Sequence, residues 1–528
     1  MLEKAVRVFR GKTKWRDPDP VGINSLAATS LSRSLLALCI VLLLCSRFAA
    51  SDHPDSWIQV RSPHFLVASD VGEKRARRIA QQFEQLRGVF HSSFPAFRAD
   101  PGQPILIIAV KDEEEMKEWL PQYWQDKGLL HPSGLYSGQE DKHFVLLRMD
   151  ATEDHPYHTI CHEYAHALLF LNFRSLPLWL NEGLSEFFGN CSIGDKEVRV
   201  GEADRDHLRR LKESGLLPTE ELLRIDKSSA YYNEQGSASV FYAEAWALVH
   251  YLVLDPAARK EEILQKFLAA WQQSGGQADA AKSSLGDIRR FDVVLGNYAG
   301  QPSVSMSTIA AGQEVAADSY TEKSLSAAEV LVLRGDLLVH MDQAEQGHRL
   351  IVQALQLAPN LGAAHEALGF FHFTENNYTD ARREMGEAIR LGGASFLASY
   401  LHGKLLLDGS SFSEETLHAA QKDLETAVRQ NPEYAPAFYW LSLVYSHSQK
   451  TQSQAIAAAA RATELDPRQI AYLVNLGHLL LNNHRDEEAR SVAEKVLKAA
   501  HSVPEQKMAQ GLLDQMRARP SGQGQSNP

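Results

Sequence analysis

The chain has 528 residues, too many for one hydrophobic core, and its length points to about three or four domain-sized units. Its 44% apolar and 23% charged residues are those of an ordinary globular protein. A net charge of -12, with no Lys/Arg-rich run in the body of the chain, excludes nucleic-acid binding carried by bulk charge.

The N-terminus is a basic leader, with Lys4, Arg7, Arg10, Lys12, Lys14, Arg16 and Arg33. It is followed by the unbroken apolar run "LLALCIVLLLC", Leu35 to Cys45. As helix this run covers about 16 Å, against the roughly 30 Å of a bilayer core. Small residues follow at Ala49, Ala50 and Ser51. Residues 1–51 are therefore expected to be a signal peptide, and the protein to be exported, periplasmic or extracellular. The alternative is an uncleaved signal anchor that tethers it to a membrane. Two cysteines remain, Cys161 and Cys191, either paired as a disulfide or buried as free thiols.

Residues 55–300 form the next unit. Strand-like and helix-like pieces alternate at first: "WIQVRSPHFLVAS", then a helix with Ile79, Phe83, Leu86, Val89 and Phe90 on one face. "PILIIAV" and "HFVLLRM" read as short strands, which gives an α+β pattern. The chain then turns mainly helical. Pro156 suits a first helical position, with Asp154 or His155 as cap, and the helix runs to about Asn172. Pro177 breaks the chain, and "LWLNEGLSEFFG" makes a second helix ending near Gly189. "SVFYAEAWALVHYLV", stopped by Pro256, is a third.

Residues 301–326 are polar and read as a linker. From residue 328 to 503 the pattern is repetitive: Gly335, Gly369 and Gly403 fall 34 residues apart, as do Ala354 and Ala388. Pro359, Pro432 and Pro467 close units. Five such units resemble tetratricopeptide repeats (TPRs), which implies an all-α superhelical solenoid with a concave groove for a protein partner. Residues 504–528 are expected to give a helical cap and a disordered tail.

The chemistry is concentrated in "HEYAH", His162 to His166. On a helix, positions four apart lie about 40° apart, so both imidazoles reach one ion, while Glu163 points about 100° away from His162. That is the logic of two zinc ligands and a general base that deprotonates a zinc-activated water. A catalytic zinc takes a third protein ligand. Glu182 comes sixteen residues after His166, in a helix free to fold back on the first. Glu186, one turn on, is placed to accept a hydrogen bond from a ligand histidine. The apolar residues around these carboxylates leave them needing partners. His158 lies four before His162 and stays unassigned.

"HEYAH" followed by "LWLNEGLSEFF" resembles the gluzincin superfamily of zinc peptidases, which includes thermolysin and the alanyl-type aminopeptidases. The resemblance implies a zincin-like catalytic domain, Zn2+ as cofactor, and His162, His166 and Glu182 as its ligands. It implies Glu163 as the base and Glu186 as the acid that orients a ligand histidine. "FYAEAWALVHYL" resembles the aminopeptidase segment whose tyrosine steadies the oxyanion, which puts Tyr242 in that role, with Tyr231 and Tyr232 as competitors. The family's substrate-pairing edge strand falls on "HFVLLRM". No Gly-x-Met-Glu-Asn segment is present, so the amine anchor of the aminopeptidases is missing. The chain as a whole is similar to bacterial exported proteins in which a peptidase-MA-like domain precedes TPRs. The expected function is an exported zinc metallopeptidase acting on a protein or peptide substrate. The alternative is a non-catalytic TPR scaffold with a structural or degenerate metal site.

Overall fold

Short apolar runs with side chains alternating between two faces set the first half of the fold. A computed structural model describes residues 57–518, except 94–96, 125–130, 140, 151–157, 174–175, 195–196, 234, 275, 302–303, 311–314, 394, 409–411, 468 and 500–502. The expected leader, the expected cap Asp154 or His155 with Pro156 as first helical residue, and the tail after Pro520 lie outside the described residues. Among the described residues no helix is long and apolar enough to cross a membrane.

The first strands are β1 (Ile58–Arg61), β2 (Phe65–Ser69), β3 (Ile105–Val110), β4 (Gly134–Gly138) and β5 (His143–Arg148). Helix α1 (Glu73–Ser93) joins β2 to β3, and α2 (Glu113–Trp119) follows β3. Then come α3 (His158–Asn172), α4 (Leu178–Gly189), β6 (Cys191–Ile193), β7 (Glu197–Val200) and α5 (Arg205–Ser214). Two single-turn helices, α6 (Thr219–Leu222) and α7 (Ala230–Asn233), lead into the long α8 (Gln235–Leu254). Four more, α9 (Pro256–Lys260), α10 (Ile263–Ser274), α11 (Gln277–Leu285) and α12 (Ile288–Ala299), complete this N-terminal α/β region, followed by β8 (Ser307–Ala310) and β9 (Thr321–Ser324).

Six strands form one sheet in the order β4-β5-β3-β2-β1-β9. The β2–β3 and β3–β5 pairs are parallel; β4–β5, β1–β2 and β1–β9 are antiparallel. Phe65, Val67, Ile105, Ile107, Val145 and Leu147 point into the core shared with α1 and α3. Their neighbours Ala68, Ile108, Val110, Phe144 and Leu146 point into a second core with Met116 and Trp119 of α2. Both faces are covered, which is why "ILIIAV" is apolar throughout.

Two expectations are corrected here. Residues 301–326 are not a free linker: β9 pairs with β1 over four residues, Thr321 to Ser324, and β8 pairs with β7. Every residue of β9 is exposed, so the strand carries no apolar signature and reads as polar. "HFVLLRM" is not the edge strand either, since β5 lies between β4 and β3. The edge is β4, "GLYSG", whose two glycines hide it from strand propensity.

The C-terminal region is a TPR-like array of helix pairs: α13 (Ala327–His340) with α14 (Ala344–Leu357), α15 (Gly362–Thr374) with α16 (Tyr378–Leu391), and α17 (Phe396–Leu406) with α18 (Glu414–Gln430). Then come α19 (Ala435–Tyr445) with α20 (Gln452–Leu465), α21 (Ile470–Asn482) with α22 (Asp486–Ala499), and a last helix α23 (Val503–Ala518). The 34-residue glycines mark close crossings: a Cβ on Gly335 would stand 2.7 Å from Ile351 and 2.8 Å from the Gly347 carbonyl.

The array is not a separate body on a tether. Leu337 and Leu338 of α13 are buried in the second core of the sheet. Each such side chain contributes about 1.5–3 kcal/mol by its burial. Arg334 donates to the Glu118 carbonyl, Asn431 donates to the Gly102 carbonyl, and Arg98 pairs with Asp466 at 3.2 Å.

Candidate metal centre

Helix α3 presents His158, His162 and His166 at successive i,i+4 positions on one face. Helix α4, begun after Pro177, brings Glu182 and Glu186 against it. Gly183 lets α4 lie close to α8, since a Cβ there would be 2.4 Å from the Ala245 carbonyl. A disulfide between Cys161, beside His162, and Cys191 of β6 ties α3 to the end of α4.

His162 Nε2 and His166 Nε2 are 3.0 Å apart. Glu182 Oε2 is 3.5 Å from His166 Nε2 and 3.8 Å from His162 Nε2. Zinc bonds of about 2.0–2.1 Å in tetrahedral array place ligand atoms about 3.3 Å from one another, so the three atoms fit one ion. The charges fit too. Glu163, Glu182 and Glu186 are all buried, and a dication would offset carboxylates so largely removed from water.

Among the described residues a second triad, His158, His162 and Glu186, also brings ligand atoms together and shares His162. Its carboxylate is already engaged. Glu186 Oε2 meets His158 Nε2 at 3.1 Å and His207 Nε2 at 3.0 Å, while Oε1 is 3.5 Å from His162 Nδ1. One buried carboxylate thus gathers three imidazoles, the arrangement that holds a ligand ring in one tautomer and orientation. On the second imidazole, His166 Nδ1 faces Asn181 Oδ1 at 2.7 Å and Ser185 Oγ at 3.0 Å.

Burial pushes the Glu163 carboxyl up to about 7. Burial also holds the His162 imidazole down, at about 4, in the neutral form a metal ligand requires. For His166 burial opposes the charge, but the Glu182 carboxylate outweighs it and raises the ring to about 9. Despite burial, Glu186 is held well below the usual carboxylate range by His158 and His207.

Glu163 lies against the edge strand β4. A Cβ on Gly134 of β4 would stand 2.9 Å from Glu163 Oε1 and 2.3 Å from Thr159 Cγ2. Only glycine lets the strand pass this close to the carboxylate. Of the tyrosines, the Tyr232 hydroxyl reaches the site directly and donates to Glu182 Oε1 at 3.3 Å. Tyr242 hydrogen-bonds to Tyr232 and packs beside it, ring centroids 6.1 Å apart.

Sequence reasoning thus selected residues that the fold brings together, His162, Glu163, His166, Glu182 and Glu186, and ranked Tyr242 ahead of the nearer Tyr232. It missed Asn181 and Ser185, which flank Glu182 within "NEGLS". It also missed His207, a lone histidine on α5 with nothing in its neighbourhood to mark it.

Residues 157–272, which span both ligand helices, match a family model described as a protein of unknown function, DUF1570. No curated protein matches the sequence. Solved structures similar to this chain include YrrB, a TPR protein with an unusual peptide-binding site, at 20% identity and TM-score 0.31, covering 35% of this chain and 92% of that one. Others are MamA from residue 41 to the end, from Desulfovibrio magneticus RS-1 (23% identity, TM-score 0.28, 33% of this chain and 94% of that one), and pilF of Pseudomonas aeruginosa (19%, 0.29, 37% and 93%).

Proposed function

We propose that the chain is a zinc-dependent peptidase of gluzincin type, with a zincin-like domain whose ligands are His162, His166 and Glu182. The observation that carries the reading is the convergence of those three atoms within 3.8 Å of one another, beside a buried carboxylate that is not one of them. A zinc ion held there supplies Lewis acidity toward a carbonyl. Glu163, with its pKa raised to about 7, is poised to take a proton from the attacking water and return it to the amine as the C–N bond breaks. The Tyr232 hydroxyl, with Tyr242 behind it, is the donor in reach of the developing oxyanion. Strand β4 has β5 on one side only, so its outer backbone groups suit an extended peptide added as a further strand. The basic, apolar leader and the Cys161–Cys191 disulfide suit an exported protein.

The test is metal analysis with a cleavage assay. The purified protein is expected to hold one zinc per chain, and a chelator to remove zinc and casein cleavage together. No bound zinc, with cleavage indifferent to the chelator, would overturn the reading. Gly134→Ala is expected to keep zinc while slowing cleavage by roughly 10²-fold, because its methyl displaces Glu163 by about 1 Å. Unchanged cleavage would show that the strand does not fix the base.

A second reading, a TPR scaffold with a structural metal site, is favoured by the five TPR-like helix pairs. Zinc retained with no cleavage of any peptide by the wild type is its signature.

A further inference from the structure

Asp336, Phe370 and Lys404 fall 34 residues apart, on α13, α15 and α17, so they occupy equivalent positions. His340 lies one turn from Asp336, and Glu366 one turn from Phe370, on the same helix faces. The N-terminal region inserts a lysine here. Lys142, at the turn between β4 and β5, places Nζ 2.6 Å from Asp336 Oδ2, 3.6 Å from Glu366 Oε1 and 4.2 Å from the Phe370 ring centroid.

Gln139 and Asp141 are held as well. Gln139 donates to the His340 carbonyl at 2.8 Å, and Asp141 Oδ2 is 3.5 Å from His340 Nε2. Next along β5, His143 Nδ1 bonds the Tyr136 hydroxyl of β4 at 2.7 Å. Asp336, His340 and Glu366 are buried, and Glu366 also accepts from the Ser395 backbone and hydroxyl. An ammonium and two carboxylates removed from water hold only as a matched set.

We infer that the first helices of the first two pairs form an internal docking site for Gln139, Asp141 and Lys142, with Lys142 as its ligand and as a positioning residue for edge strand β4. The array then acts in cis, as a clamp on edge strand β4. The docking follows from the contacts; its consequence for catalysis rests on the proposed peptidase reading.

The experiment uses the full chain loaded with zinc and compares wild type, Lys142→Met and Lys142→Arg. Hydrogen exchange of the 134–138 amides is expected to speed up roughly tenfold or more in Lys142→Met, with zinc content unchanged, and to return toward wild type in Lys142→Arg. In a peptide assay Lys142→Met is expected to raise KM, because the strand proposed to pair with substrate is loosened, and to lower kcat as far as Gly134 shifts against Glu163. Should Lys142→Met fail to fold, Asp336→Asn replaces it, with the same sign of change expected. Unchanged exchange at 134–138 in a folded variant, or no recovery in Lys142→Arg, would overturn the clamp. Exchange is read without turnover, so a protein that cleaves nothing would remove the peptidase reading and still decide the clamp.

Discussion

Replacing Glu163 by glutamine is expected to cut peptide cleavage by about 10²–10⁴-fold while zinc content stays at the wild-type level. Glutamine keeps the shape of a side chain that is buried and hemmed in by Gly134 and Thr159, so the packing of α3 against β4 survives. What it removes is the carboxylate proposed to take the proton of the attacking water. The proposed ligand atoms of His162, His166 and Glu182 are untouched, and Glu163 belongs to neither of the triads that, among the described residues, could hold an ion. The effect should therefore appear in kcat with little change in KM, as for an interaction made only in the transition state. Equal cleavage by wild type and Glu163→Gln would mean that the activity belongs to a contaminant or that another group is the base. Loss of zinc in the variant would instead make Glu163 a ligand and break the assignment at its root.

Much of this site is legible in sequence because helical spacing is rigid. Residues four apart share a face whatever surrounds them, so His162 and His166 announce a pair, and Glu182 with Glu186 announces a second. That the two helices meet is also hinted at by Leu180, Leu184 and Phe187, whose apolar surface needs a neighbour. The strands are less legible where they lie at edges. β4 has two glycines in five residues and β9 is wholly exposed, and neither shows the apolar alternation of a half-buried strand. Contacts between distant segments leave no local signal at all. His207 meets Glu186 across 21 residues, and Lys142 meets Asp336 across 194. Lys142 reads as a surface lysine of a turn until the array closes over it. Tyr232 lost to Tyr242 on resemblance because Tyr242 opens a regular helix face, whereas Tyr232 lies on a single-turn helix whose direction only the tertiary fold sets.

Glu182→Ala and Glu186→Ala are expected to separate the two overlapping triads. A complete four-ligand protein zinc site binds with about 10–16 kcal/mol, or about 3 kcal/mol per ligand. Deleting one of three protein ligands should therefore weaken zinc by roughly 10²–10³-fold. Glu182→Ala is expected to show that loss in a competition titration against a chromophoric chelator. It also strands His166, whose raised pKa depends on the Glu182 carboxylate, so His166 should titrate lower in the metal-free variant. Glu186→Ala leaves all three ligand atoms in place and removes only the acceptor beside His162, His158 and His207. Its zinc affinity should fall by about 10–100-fold, the usual cost of losing a partner that orients a ligand. The order of the two effects decides the site: the larger loss from Glu186→Ala would move the metal to His158, His162 and Glu186, one helical turn toward the start of α3. That position would take the ion away from Tyr232, whose hydroxyl reaches Glu182. The predicted order therefore tests the geometry of the ion and the chemistry assigned to it in one comparison.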